Sequence, residues 1–105
     1  MTVKKIKLMD LVIDPELQVR EISSFTIADY RESMRSGNIF PPVIVDNKNR
    51  LVCGHHRYHA YKGMYEPDYK IDCVVTDLKT DAELIMLAAS DNSKHGRPLT
   101  TFEKK

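Results

Sequence analysis

Apolar and polar positions change period several times along the chain. Val3, Ile6 and Leu8 stand against Lys4, Lys5 and Lys7, the uneven alternation of a first strand. Asp14-Pro15 breaks that run, and Glu16 to Arg20 reads as a polar connection. From about Thr26 the period lengthens: Ile27, Tyr30 and Met34 recur at three- and four-residue steps, the buried face of a helix. Gly37 supplies a left-handed stop, and Pro41-Pro42 forbids any continuation. Val43 to Asp46 and Arg50 to Cys53 are short strands around Asp46-Asn47-Lys48-Asn49, which has the chemistry of a hairpin turn.

Gly54 ends the second hairpin strand. His55 to Met64 resumes helical spacing through Ala60, Tyr61 and Met64, with Gly63 near its end. Tyr69 to Thr76 predicts another strand through Ile71, Cys73 and Val75. Thr80-Asp81-Ala82-Glu83 is a capping box that opens a helix through Leu84, Ile85, Leu87 and Ala88, and His95-Gly96-Arg97-Pro98 closes it. Thr100-Thr101-Phe102-Glu103 is a second capping box with only Lys104 and Lys105 after it. A single turn is not stable alone. Residues 100–105 are therefore expected to dock on the domain or to start a helix that continues in a longer protein.

Composition narrows the function classes. A chain of 105 residues fits one domain. Apolar residues make up 42% and charged residues 30%, as in ordinary globular proteins, and mean hydropathy is −0.40. No apolar run approaches the roughly 20 residues of a membrane span, so no membrane partner is expected. The formal net charge is +1, from 16 Lys and Arg against 15 Asp and Glu. Binding to nucleic acid or nucleotide must then come from local charge placement. Cys53 and Cys73 are too few for a disulfide framework and form no CxxC pair; with no apolar leader after Met1, a cytoplasmic protein is expected.

The densest chemistry lies in Leu51-Val52-Cys53-Gly54-His55-His56-Arg57. A strand meets a glycine and turns directly into a helix that begins His-His-Arg. Such a start offers unpaired N–H groups and the positive end of the dipole, and glycine lets a ligand approach. Two imidazoles and a guanidinium add phosphate donors. A solvated polar helix start, with Arg57 paired to a carboxylate at the core edge, fits the same spacing. His55 and His59, four apart, have zinc-ligand spacing but no third ligand nearby in sequence.

A second cluster is Asp91-Asn92-Ser93-Lys94-His95, where Asp91 extends the face of Leu84, Leu87 and Ala88. Its carboxylate and amide oxygens suit Mg²⁺, and its basic residues suit phosphates or simply complement the helix dipole. Gln18-Val19-Arg20 carries no meaning by composition.

As an ordered set these segments do. Gln18-x-Arg20, a helix, Pro41-Pro42-Val43-Ile44-Val45, Gly54-x-x-Arg57 and Asn92 in Asp91-Asn92-Ser93-Lys94-His95 resemble the N-terminal domain of ParB-like proteins, in the ParB/sulfiredoxin superfamily. The resemblance runs from about Lys4 to Glu103. It implies a compact single α+β domain over residues 1–99, with a small mixed sheet and three to four helices. It also implies a bound nucleoside triphosphate with Mg²⁺, CTP in the partition proteins and ATP or ADP in other members. Arg20, Gly54, His55, His56, Arg57, Asn92, Lys94 and His95 are the implied nucleotide and phosphate ligands. Asp91 and Asn92 are the implied metal ligands, and Gln18 and His55 the implied catalytic candidates. DNA would be read chiefly by a downstream domain, in a plasmid, phage or chromosomal system, with a homodimer as a possible assembly.

This sequence departs from the family at two places. The partition proteins read Gly-Glu-Arg-Arg where this chain has Gly54-His55-His56-Arg57, and Glu-Asn-x-Gln-Arg where it has Asp91-Asn92-Ser93-Lys94-His95. Histidines in contact with phosphates would favour their charged forms, so binding by His55, His56 and His95 is expected to strengthen from about pH 8 to 6. Sulfiredoxin has its catalytic cysteine where His55 stands, and Cys53 lies in the strand, so sulfinic-acid reduction is rejected. Gly-His-x-Arg also resembles the free serine kinases of the superfamily, which need a carboxylate base; Glu16 is the candidate. A regulatory nucleotide-binding domain would turn over nucleoside triphosphate slowly or not at all; the alternatives to it are a small-molecule kinase or phosphohydrolase and a nucleotide-independent DNA- or protein-binding module.

Overall fold

The computed structural model describes residues 2–19 and 21–90. Four strands, β1 (Thr2–Lys7), β2 (Val43–Val45), β3 (Leu51–Cys53) and β4 (Lys70–Val75), form one sheet in the order β1-β4-β2-β3. The sheet is mixed. β1 runs antiparallel to β4 with Ile6 opposite Ile71, β4 runs parallel to β2 with Val43 beside Cys73, and β2 and β3 form an antiparallel hairpin. The helices among the described residues are α1 (Ser24–Arg35), α2 (His55–Met64) and α3 (Asp81–Ser90), with 3-10 turns at Leu8–Asp10 and Pro15–Leu17. This is the α+β architecture that the sequence predicts.

Local chemistry sets the boundaries. α1 begins two residues before the expected Thr26, because the Ser23 hydroxyl accepts the Thr26 N–H at 3.2 Å. Gly37 follows α1 at φ 87°, the left-handed stop. In the hairpin turn Asp46 accepts N–H bonds from Lys48 and Arg50, and Asn49 takes φ 64°. The first capping box is reciprocal: Thr80 Oγ1 accepts the Glu83 N–H at 3.2 Å, and Glu83 Oε1 accepts the Thr80 N–H at 3.3 Å. The expected closure at His95–Pro98 and the second capping box at Thr100 lie outside the described residues.

Period-two alternation in β2 divides the core. Val43 and Val45 pack with Ile6, Leu8, Leu11, Leu51, Ile71, Cys73 and Tyr58 of α2. Ile44, between them, belongs to a second cluster with Leu17, Val52, Cys53 and Leu84 and Ala88 of α3. The sheet thus lies between α2 and α3, and α1 packs on α2. No helix of the described residues is long and apolar enough to cross a membrane.

Candidate functional site

β3 delivers Gly54 to the N-terminus of α2 at φ 102°, a conformation that L side chains rarely adopt. Space imposes the same residue. A Cβ there would lie 2.6 Å from Val43 Cγ1 and 3.0 Å from Arg57 Nη2. The first helical bond runs from the Tyr58 N–H to the Gly54 carbonyl at 2.9 Å. The N–H groups of His55, His56 and Arg57 therefore precede the ladder and point out of the helix end.

Arg57 is 4% exposed. Its Nη1 donates to the carbonyls of Pro41 at 2.7 Å and Pro42 at 3.0 Å. Neither proline has an N–H for the sheet, but both keep a carbonyl to offer. The partner that a buried guanidinium needs is thus in part backbone oxygen, where the spacing suggests a carboxylate or a bound anion. The Pro-Pro pair followed by an Arg in the next helix is the sequence signal for this clasp.

The three described histidines of α2 have different surroundings. His55 is half-buried, and burial, reinforced by His59 and His56, pushes its pKa down to about 4. Its Nε2 is buried with no hydrogen-bond partner among the described residues. His56 Nε2 accepts the Ser23 N–H at 3.0 Å, so that nitrogen carries no proton. His59, one turn on, also has a lowered pKa, from burial first, then the Lys62 charge, then repulsion from His56 whenever that ring is protonated. Burial of His55 opposes the charged form that phosphate contact would favour, and a proton on His56 Nε2 would break its Ser23 bond. Among the described residues no three His, Cys, Asp or Glu side chains are grouped to hold a metal.

Residues flanking two other predicted segments lie beside this helix start. Leu17, before the half-buried Gln18, packs in the cluster of Val52 and Cys53, next to Gly54. Ser23, at the far end of the Gln18-to-α1 connection, is tied to His56. On the third side Cys53 Sγ contacts the Leu87 carbonyl at 3.8 Å, which sets the last turn of α3 against the end of β3. Asp91, Asn92, Lys94 and His95 follow that turn in sequence; they and Arg20 lie outside the described residues. Cys53 is 2% exposed within the core.

Sequence reasoning misses one cluster. Arg50 of the hairpin pairs with Asp46 at 2.7 Å, Asp14 at 3.0 Å and Asp81 at 2.9 Å. It joins β3 to the Pro15–Leu17 turn and to the start of α3. Burial alone would raise the Asp46 pKa, but bonds from the Arg50 and Lys48 N–H groups and the Arg50 guanidinium hold it below the usual carboxylate range. No period or motif marks partners so far apart in sequence.

No protein-family model matches the chain, and no curated protein matches it. Solved structures do. The C2221 form of a pNOB8-like ParB N-domain is similar at a TM-score of 0.64 and 21% identity, over 78% of this chain and 32% of that one. A C-terminally truncated chromosome-partitioning protein ParB from Caulobacter crescentus, complexed with CTP-gamma-S, is similar at a TM-score of 0.69 and 16% identity, over 84% of this chain and 51% of that one. A further pNOB8-like ParB N-domain has a TM-score of 0.56 and 26% identity, over 72% of this chain and 28% of that one. This chain spans between about a quarter and a half of the length of those proteins. The fold is that of a ParB-like N-terminal domain.

Proposed function

We propose that this chain is a nucleotide-binding regulatory domain of a ParB-like DNA-binding protein, taking CTP with Mg²⁺ between the start of α2, the Gln18–Arg20 segment and the residues after α3. One observation carries the reading. Three segments far apart in sequence, ending at Leu17 and Ser23, at Cys53–His56 and at Leu87, are fixed beside one helix N-terminus. Such an end is suited to phosphates by its N–H groups and its dipole. The Caulobacter protein of the same fold is complexed with a CTP analogue.

In this reading the α2 N–H groups and neutral His55 meet phosphate oxygens. Arg57 holds the Pro41-Pro42 segment beside them, and Gln18 and Arg20 would add polar contacts to the ligand. The oxygens of Asp91 and Asn92 would hold Mg²⁺, which when bound offsets phosphate charge, and Lys94 and His95 add donors. DNA is read chiefly by a further domain of the parent protein. Calorimetric titration with CTP, ATP, GTP and UTP, each with and without Mg²⁺, tests the proposal. Saturable binding strongest for CTP and dependent on Mg²⁺ is expected. Absence of binding to all four nucleotides would overturn it.

A further inference from the structure

We infer that His56 is a positioning residue: through its unprotonated Nε2 it fixes Ser23, and with it the start of α1, against the first turn of α2. The bond is the 3.0 Å contact from the Ser23 N–H, part-buried and spanning two elements. Ser23 is also the N-cap of α1, its hydroxyl taking the Thr26 N–H. A donor that precedes the helical ladder is thereby satisfied by a side chain from another helix. The imidazole ring is held edge-on to Tyr30 of α1, with centroids 6.4 Å apart and planes at 81°. These contacts fix both the ring and the nitrogen it presents.

This role separates His56 from its neighbours. A phosphate ligand at this position would present a donor or a cation. His56 Nε2 instead acts as an acceptor, which no arginine or lysine can replace. Its effect on a ligand is indirect: it sets one end of the connection whose other end is Leu17. The inference rests on the nucleotide-binding reading for that consequence, but not for the bond itself.

Three variants of the full chain separate the roles. Gln can carry an acceptor oxygen close to the position of Nε2; Arg supplies a cation without an acceptor; Ala supplies neither. Amide hydrogen exchange at Ser23 reads the bond directly, and CTP–Mg²⁺ titration reads its consequence. Loss of one hydrogen bond predicts about tenfold faster Ser23 exchange in His56→Ala and His56→Arg, with His56→Gln close to the parent. CTP affinity is expected to fall about three- to tenfold in the first two and to recover in His56→Gln. Unchanged Ser23 exchange in His56→Ala overturns the positioning role, as does CTP binding retained by His56→Arg and lost by His56→Gln. If the parent chain binds no CTP, the nucleotide reading fails while the exchange experiment still decides the role of His56.

Discussion

Gly54 is constrained twice, by its backbone angle and by the Val43 side chain packed against it. Gly37 shares a positive φ, but a methyl group added there would meet nothing within 4 Å. The pair therefore separates backbone strain from steric exclusion. Gly37→Ala is expected to cost about 1 kcal/mol and Gly54→Ala about 2–5 kcal/mol, the excess arising from overpacking against Val43. Urea unfolding of the two variants measures the difference; equal losses would show that β2 moves aside at little cost. His55 adds a dependence on pH. Unfolded, it takes up a proton near pH 6.5; folded, it does so only near pH 4. Between those values the unfolded chain binds more protons, so stability falls as pH falls from about 6.5 to 4. Asp14, Asp46 and Glu83, all with lowered pKa, extend the loss below about pH 4. Denaturation midpoints across pH 7 to 4 in the parent and in His55→Gln check the first window, which the variant should flatten.

Among the elements, those whose signal is local are legible in the sequence. α2 starts at His55 because Gly54 stops the strand, and α3 starts at Asp81 because Thr80 and Glu83 cap each other. The apolar stripe of α1 begins only at Ile27, whereas Ser23 sets its cap, so periodicity alone places that start too late. The order of motifs also points to segments whose neighbours Leu17, Ser23 and Leu87 are fixed beside the start of α2. What each side chain does there is not legible. The spacing shows Arg57 and His56 as donors at a helix start, but not the Pro41 and Pro42 carbonyls or the Ser23 N–H that engage them. The Arg50 cluster is hidden for the same reason, since its carboxylates come from three separate segments. Arg50→Ala leaves Asp46, 2% exposed, without its guanidinium partner. A loss of about 2–4 kcal/mol is expected, because the N–H groups of residues 48 and 50 still serve that carboxylate. Chemical denaturation measures it, and a loss under about 0.5 kcal/mol would mark the cluster as a solvated surface feature.

For the whole molecule, charge limits what this chain does by itself. With a formal net charge of +1, it is expected to bind duplex DNA weakly and to release it as salt rises from about 50 to 200 mM. Gel-shift titrations at several salt concentrations test this. Tight, sequence-selective complexes that persist at high salt would place a DNA reader within these 105 residues and overturn the assignment of that role to another part of the parent protein.

The pairing of β1 with β4 governs the order in which the molecule can assemble. Thr2 lies opposite Val75, so nearly the whole described chain must be made before the first strand finds its partner. During synthesis on the ribosome, β2, β3 and α2 emerge before β4, and β1 waits longest. Closing so long a loop places β1 docking late in folding, after the hairpin and its helix. Until then Ile6 and Leu8 are without their core neighbours, while Lys4, Lys5 and Lys7 discourage the waiting strand from pairing with a second nascent chain.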